Sequence, residues 1–97
     1  MRWLILSLLT ACSSIPLTCE QLGVAAGHPY PVRQYRPLTL EQLEYACRHL
    51  EIPEGDRLRG CTIFYIDGSV QVNWLEGDEW GEAHERCHGE NGPDHVG

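Results

Sequence analysis

Lysine is absent from this 97-residue chain, and seven arginines stand against 14 acidic residues for a net charge of −7. The missing lysine fits an arginine-favouring genome and carries no mechanism. The shortage of positive charge excludes more. Nucleic-acid binding needs a basic footprint, and a grip on anionic lipid needs clustered cations; this chain offers neither. A neutral or weakly basic substrate is easier to accommodate. Long hydrophobic runs are missing too. Trp3 to Leu9 is apolar but for one Ser, and falls far short of the roughly 20 residues that span a bilayer. No repeats or low-complexity tracts occur.

Size is the next constraint. A chain this short makes one small domain. Such a domain buries only about 60–65% of its unfolded surface and is marginal without help. Disulfides and a bound metal are the usual staples at this scale. The chain has the means for both, with five cysteines and five histidines.

The most specific pattern lies near the C-terminus, where His84-Glu85-Arg86-Cys87-His88 spells H-E-x-x-H. Residues four apart share one face of a helix, with Cβ atoms about 5–6 Å apart. Two imidazoles so placed reach one metal at about 2.0–2.1 Å. Glu85, next to the first of them, is positioned to hold and deprotonate the attacking water. The context is helical. Asp78 is the expected N-cap, Glu79 and Glu82 suit the positive end of the helix dipole, and Gly89 is the expected stop. Gly81 should weaken the helix by about 1 kcal/mol relative to Ala. Catalytic zinc commonly takes three protein ligands. Gly92-Pro93 can turn the chain back, which makes His95 the third ligand, with Asp94 or Glu90 as alternatives.

The pentad and its sequel resemble the metzincin clan of zinc peptidases, whose pattern is H-E-x-x-H-x-x-G-x-x-H. Gly92-Pro93-Asp94-His95 keeps the G-x-x-H spacing after a one-residue insertion; in strict register Asn91 would stand at the Gly place and Asp94 at the last ligand. A Glu about twenty residues further on, the third ligand in gluzincins, has no counterpart. The resemblance covers about twelve residues. It implies Zn(2+) held by His84, His88 and His95, with Glu85 as catalytic base on a peptide or protein substrate. For a second electrophile, Tyr65, Arg86 and His49 are open choices.

At the other end, Met1-Arg2 and the apolar stretch resemble a signal peptide, and Leu9-Thr10-Ala11-Cys12 resembles the bacterial lipobox. That implies cleavage after residue 11, acylation of Cys12, and anchoring in the bacterial cell envelope, on the periplasmic side of the outer membrane. Short phage- and plasmid-borne lipoproteins with a C-terminal H-E-x-x-H are similar. Removing residues 1–11 takes away only Arg2 among the charges and leaves the chain more acidic. With Cys12 given to lipid, Cys19, Cys47, Cys61 and Cys87 remain for two disulfides in an oxidising compartment, and three pairings are open. Cys87 should point away from a site shared by His84 and His88. It is expected in a disulfide, with Cys61 or Cys47 as its partner.

Between these ends, residues 12–37 are rich in Ser, Pro and small side chains and read as the acylated Cys and an extended tether. Tyr30, Arg33, Tyr35 and Arg36 lie within it, as a strap or a ligand contact. The domain proper is expected over 38–97. Thr39-Leu40-Glu41-Gln42 is a capping-box pattern opening a helix over 40–50. Arg59 to Ile66 favours strand, Asp67-Gly68 is a hairpin turn, and Ser69 to Trp74 alternates, with Val70, Val72 and Trp74 on one face. Trp74 and Trp80 are expected in the core. The resulting expectation is α+β: helix, β-hairpin, then a metal-binding helix, in a reduced zincin-like arrangement with Ser69 to Trp74 as the edge strand for an extended substrate. Two functions follow from it. One is a membrane-anchored zinc metallopeptidase or metallohydrolase outside the cytoplasm. The other is a non-catalytic, zinc- and disulfide-stabilised envelope lipoprotein that binds a partner. A mechanical lysis lipoprotein, extended and Pro-rich throughout, fits the helix and strand patterning least.

Overall fold

The computed structural model describes residues 17–97. The segment 1–11 expected to be a signal peptide and Cys12, the expected acylation site, lie outside the described residues. The order of elements is β1 (Val32–Leu38), α1 (Leu40–Ala46), β2 (Gly60–Phe64), β3 (Val70–Leu75) and α2 (Glu79–Asn91). This is an α+β fold, as expected. The three strands form one mixed sheet in the order β1-β3-β2, with β3 parallel to β1 and antiparallel to β2. Among the described residues no helix is long and apolar enough to cross a membrane.

Side-chain alternation explains the layers. On β3, Val70, Val72 and Trp74 face α2, together with Tyr30, Val32 and Phe64. Leu75 of β3 and Leu38 of β1 instead meet Leu43, Cys47 and Cys61 under α1. Each face of the sheet therefore carries one helix, and β3 is buried along most of its length. The expectation that Ser69 to Trp74 is an edge strand is thus corrected. Gln71 and Asn73 made the strand look half solvated, yet both are buried, Asn73 donating to the Cys61 carbonyl at 3.3 Å and to Gln71 Oε1 at 3.3 Å. The exposed edges belong to β1 and β2.

The expected tether is corrected more deeply. Residues 32–38 form an edge strand, and Pro37 is tolerated because an edge needs no donor on its outer side. Upstream, Leu22 and Val24 are buried against Cys87, and Val24 makes an antiparallel bridge to His95. The described part of 12–37 is structural wall, not spacer.

The capping box at Thr39 is present as expected, with the Thr39 side chain on the Gln42 N–H and the Gln42 side chain on the Thr39 N–H. The helix it opens stops at Ala46, not Leu50. Leu50 is 44% exposed, so the periodicity beyond Cys47 has no surface to pack on. The Asp67-Gly68 turn joins β2 to β3, with Asp67 Oδ1 accepting from the Ser69 N–H at 2.9 Å.

The disulfides are Cys19–Cys87 and Cys47–Cys61, with Cα separations of 5.5 Å and 6.0 Å. Cys87 is in a disulfide, but its partner is neither Cys61 nor Cys47. Burial of Leu22 and Val24 brings Cys19 to α2, which a tether reading of that segment could not anticipate.

Candidate metal centre

The helix that carries the pentad starts after its expected N-cap, Asp78, and ends about one turn later than expected, at Asn91. The Asp78 carboxylate accepts from the Gly81 N–H at 2.8 Å and from Arg59 through two bonds of 2.6 Å. Arg59 and the Gly81 N–H hold the Asp78 carboxyl down to about 2, against the opposing effect of burial. Gly89 does not stop the helix. It lets α2 press on the sheet, since a Cβ there would lie 2.9 Å from Val32 Cγ2 and 3.4 Å from Val72 Cγ2. The helix ends at Asn91, and Gly92 takes φ 100°, a conformation that strongly favours glycine. That residue reverses the chain and brings His95 back over the helix.

Three imidazoles meet as a result. His88 Nε2 lies 3.3 Å from His84 Nε2 and 3.0 Å from His95 Nε2. The three ligand nitrogens all lie within 4.8 Å of one another. Two nitrogens bound tetrahedrally at about 2.05 Å would stand about 3.3 Å apart, so the spacing is that of ligands sharing one ion. Asp94 and Glu90, the alternatives for the third position, do not join this group. Glu90 lies near Cys19 and Cys87, whose sulfurs are bonded to each other and are not thiolate ligands.

The hydrogen bonds decide which nitrogen carries the proton. His84 Nδ1 is 2.6 Å from the Leu22 carbonyl, and His88 Nδ1 is 2.8 Å from the Gly92 carbonyl. A carbonyl only accepts, so each Nδ1 donates and each neutral ring turns an Nε2 lone pair toward the other. Burial holds both rings below the ordinary histidine pKa, with the carbonyl bonds opposing the shift. Two lone pairs facing each other at 3.3 Å repel unless a cation lies between them. The donor set thus fits a metal ion.

Glu85 lines the same cavity of about 370 Å³, together with Gly60, Thr62 and the three histidines. Its carboxylate is buried, and Thr62 Oγ1 lies 3.0 Å from Oε1. Burial pushes the Glu85 carboxyl up to about 7, with the Thr62 hydroxyl pulling it back down. Gly60 makes the room. A Cβ there would sit 2.6 Å from Glu85 Cγ and 2.7 Å from the Asn73 carbonyl.

Tyr65, Arg86 and His49 do not line this cavity. Arg86 lies over Tyr35 and Trp74 and is paired with Glu82. Tyr65 and His49 line a separate cavity beside α1. Trp80 is 40% exposed, not core, and stacks on His84 with centroids 4.7 Å apart. Gly60, Thr62, Trp80 and the Leu22 carbonyl are the contributors that sequence reasoning missed. None carries a motif, and each acts only because folding brings it to α2.

The chain matches no protein-family model, no curated protein and no solved structure.

Proposed function

We propose that this protein is a zinc-dependent metallopeptidase or related metallohydrolase, in a reduced zincin-like arrangement, acting outside the cytoplasm. The observation that carries the reading is the joint occurrence of three converging imidazoles and a buried carboxylate in one cavity. Neutral imidazoles with fixed tautomers suit zinc. His84, His88 and His95 would hold the ion, which would supply Lewis acidity toward a carbonyl and lower the pKa of a water toward neutrality.

The chain's own residues do the rest. Glu85 takes a proton from the attacking water and returns it to the departing amine, which requires a carboxyl that titrates near the working pH. Thr62 holds that carboxyl in place through Oε1. His95 is exposed while His88 is buried, so substrate enters from the His95 side. The two disulfides support an oxidising compartment, consistent with the lipobox resemblance at Cys12 and an envelope location with a lipid anchor.

A second reading has one observation in its favour. None of the three expected electrophiles reaches the cavity, and without one the tetrahedral intermediate lacks a further stabiliser. On that reading the metal braces a non-catalytic partner-binding lipoprotein. Glu85→Gln separates the two. The catalytic reading expects peptide hydrolysis by the zinc-loaded protein to fall by at least about 100-fold, with zinc still bound. Hydrolysis at wild-type rate by the variant, or none by the wild type across a broad peptide library, removes the catalytic reading and leaves the structural one.

A further inference from the structure

A second cavity lies on the opposite face of the sheet from the histidines. It measures about 750 Å³, within the range of small-molecule sites. Its position follows from the shortness of α1. That helix covers the end of the face at Leu38, Cys61 and Leu75 and leaves the other end open. The floor there is Arg36 of β1, Gln71 of β3 and Ile63 of β2, with Tyr65 just beyond, and the wall includes Tyr45 and Arg48.

The charge is the informative part. Arg36 is half-buried, and among the described residues no carboxylate lies within ion-pair distance of it, although the chain holds 14 acidic residues against seven basic ones. Arg48 joins it at the same cavity, its Nη1 donating to the Tyr45 carbonyl at 2.7 Å and its guanidinium lying 4.1 Å from the Tyr45 ring centroid. Glu41 also lines the cavity but pairs with neither arginine. Gln71 is already committed, donating to Gln34 Oε1 at 2.7 Å and accepting from Asn73. His49 and Gln42 complete the polar lining, so the charged hydrogen-bonding capacity left over is cationic and fork-shaped, and it stands beside aromatic and aliphatic surface. A planar carboxylate matches such a fork.

We infer that this cavity is a binding site for a small organic carboxylate with an aromatic or aliphatic body, its head on Arg36 and Arg48 and its body against Tyr45, Ile63 and Tyr65. Glu41 fixes the polarity by repelling the head from its side. The site is independent of the metal centre.

The test uses 2-naphthoate and its neutral analogue 2-naphthamide, titrated into the oxidised, isotope-labelled full chain with and without added zinc. Naphthoate is expected to shift the amide signals of Ile63, Tyr65 and Gln71 and to bind at least about tenfold more tightly than the amide. Arg36→Gln should abolish that preference, Arg48→Gln should reduce it, and His88→Ala should leave it unchanged. If Arg36→Gln does not fold, Arg48→Gln decides alone. Equal binding of acid and amide, no shifts at millimolar ligand, or shifts confined to His84, His88 and His95 would each overturn the inference.

Discussion

Glu85 owes its position to what is missing from Gly60. The methylene of the acid occupies the volume a side chain at 60 would need, and Thr62 two residues on supplies a hydroxyl within reach. Gly60→Ala should therefore move Glu85 and leave the histidines alone. The expected outcome is a loss of hydrolysis of about tenfold or more, with zinc content unchanged; equal kcat in the variant would show that the acid tolerates displacement. A second residue-scale consequence concerns Asp78. Its folded pKa, about 2, lies below the usual Asp value near 3.9. The ion pair with Arg59 therefore stabilises the fold above about pH 4, and that contribution is lost as pH falls toward 2. Asp78→Asn keeps a capping oxygen but loses the pair. It should cost about 1–2 kcal/mol at pH 7, a cost that falls to a few tenths of that near pH 2 and vanishes below it. Denaturation of both proteins across that window checks the convergence.

At the scale of elements, α2 is held from two sides by segments distant in sequence. Cys19–Cys87 ties residues 17–24 to its middle. The same segment then presents the Leu22 carbonyl to His84 and pairs with His95 through Val24, with the Ala25 N–H donating to the Asp94 carbonyl at 3.0 Å and the Val96 N–H to the Gly23 carbonyl at 2.9 Å. The two disulfides should therefore have different consequences. Replacing Cys19 and Cys87 by Ser should cost about 2–5 kcal/mol and weaken zinc binding by roughly 10–100-fold, the usual effect of losing the partners that orient a ligand. Replacing Cys47 and Cys61 should cost similar stability and leave zinc affinity within a few-fold. Chemical denaturation and chelator competition on both variants distinguish the cases. Equal zinc affinity in the two would mean that the N-terminal segment does not orient the site.

What the sequence discloses also divides at this scale. The pentad, its N-cap at Asp78, the capping box at Thr39 and the Asp67-Gly68 turn are local signals, and the structure contains all four. Strand β1 was hidden because Arg33, Gln34 and Tyr35 are exposed and Pro31 and Pro37 bracket them; an edge strand needs little of the pattern that marks a central one. β3 was legible as a strand and misread as an edge, since Gln71 and Asn73 are polar yet buried, the Asn73 amide nitrogen donating to Gln71 and to the Cys61 carbonyl while its oxygen stays unpartnered among the described residues. The pairing of Cys87 was not readable, because it depends on where the chain before β1 packs. Of the site, His84, Glu85 and His88 were visible by spacing and His95 stood beside Asp94 and Glu90 as a third-ligand candidate, whereas Gly60, Thr62 and the Leu22 carbonyl approach from other elements.

For the whole molecule, the sheet is a thinly covered scaffold whose two faces carry different features, three imidazoles on one and two arginines beside aromatic rings on the other. So small a core gains much from a bound ion. Free zinc at about 100 times its dissociation constant should add about 2.7 kcal/mol, which in a domain of this size raises the thermal midpoint by roughly 10 °C or more. Chelation should reverse the shift, and His88→Ala should not show it. The most direct test of the central claim is X-ray absorption at the zinc edge on the purified, oxidised protein, with metal content measured on the same sample. The account predicts about one zinc per chain, three imidazole nitrogens at about 2.0–2.1 Å, no sulfur ligand, and loss of the metal in His88→Ala. Substoichiometric zinc, a sulfur ligand, or full retention of the metal in that variant would contradict it.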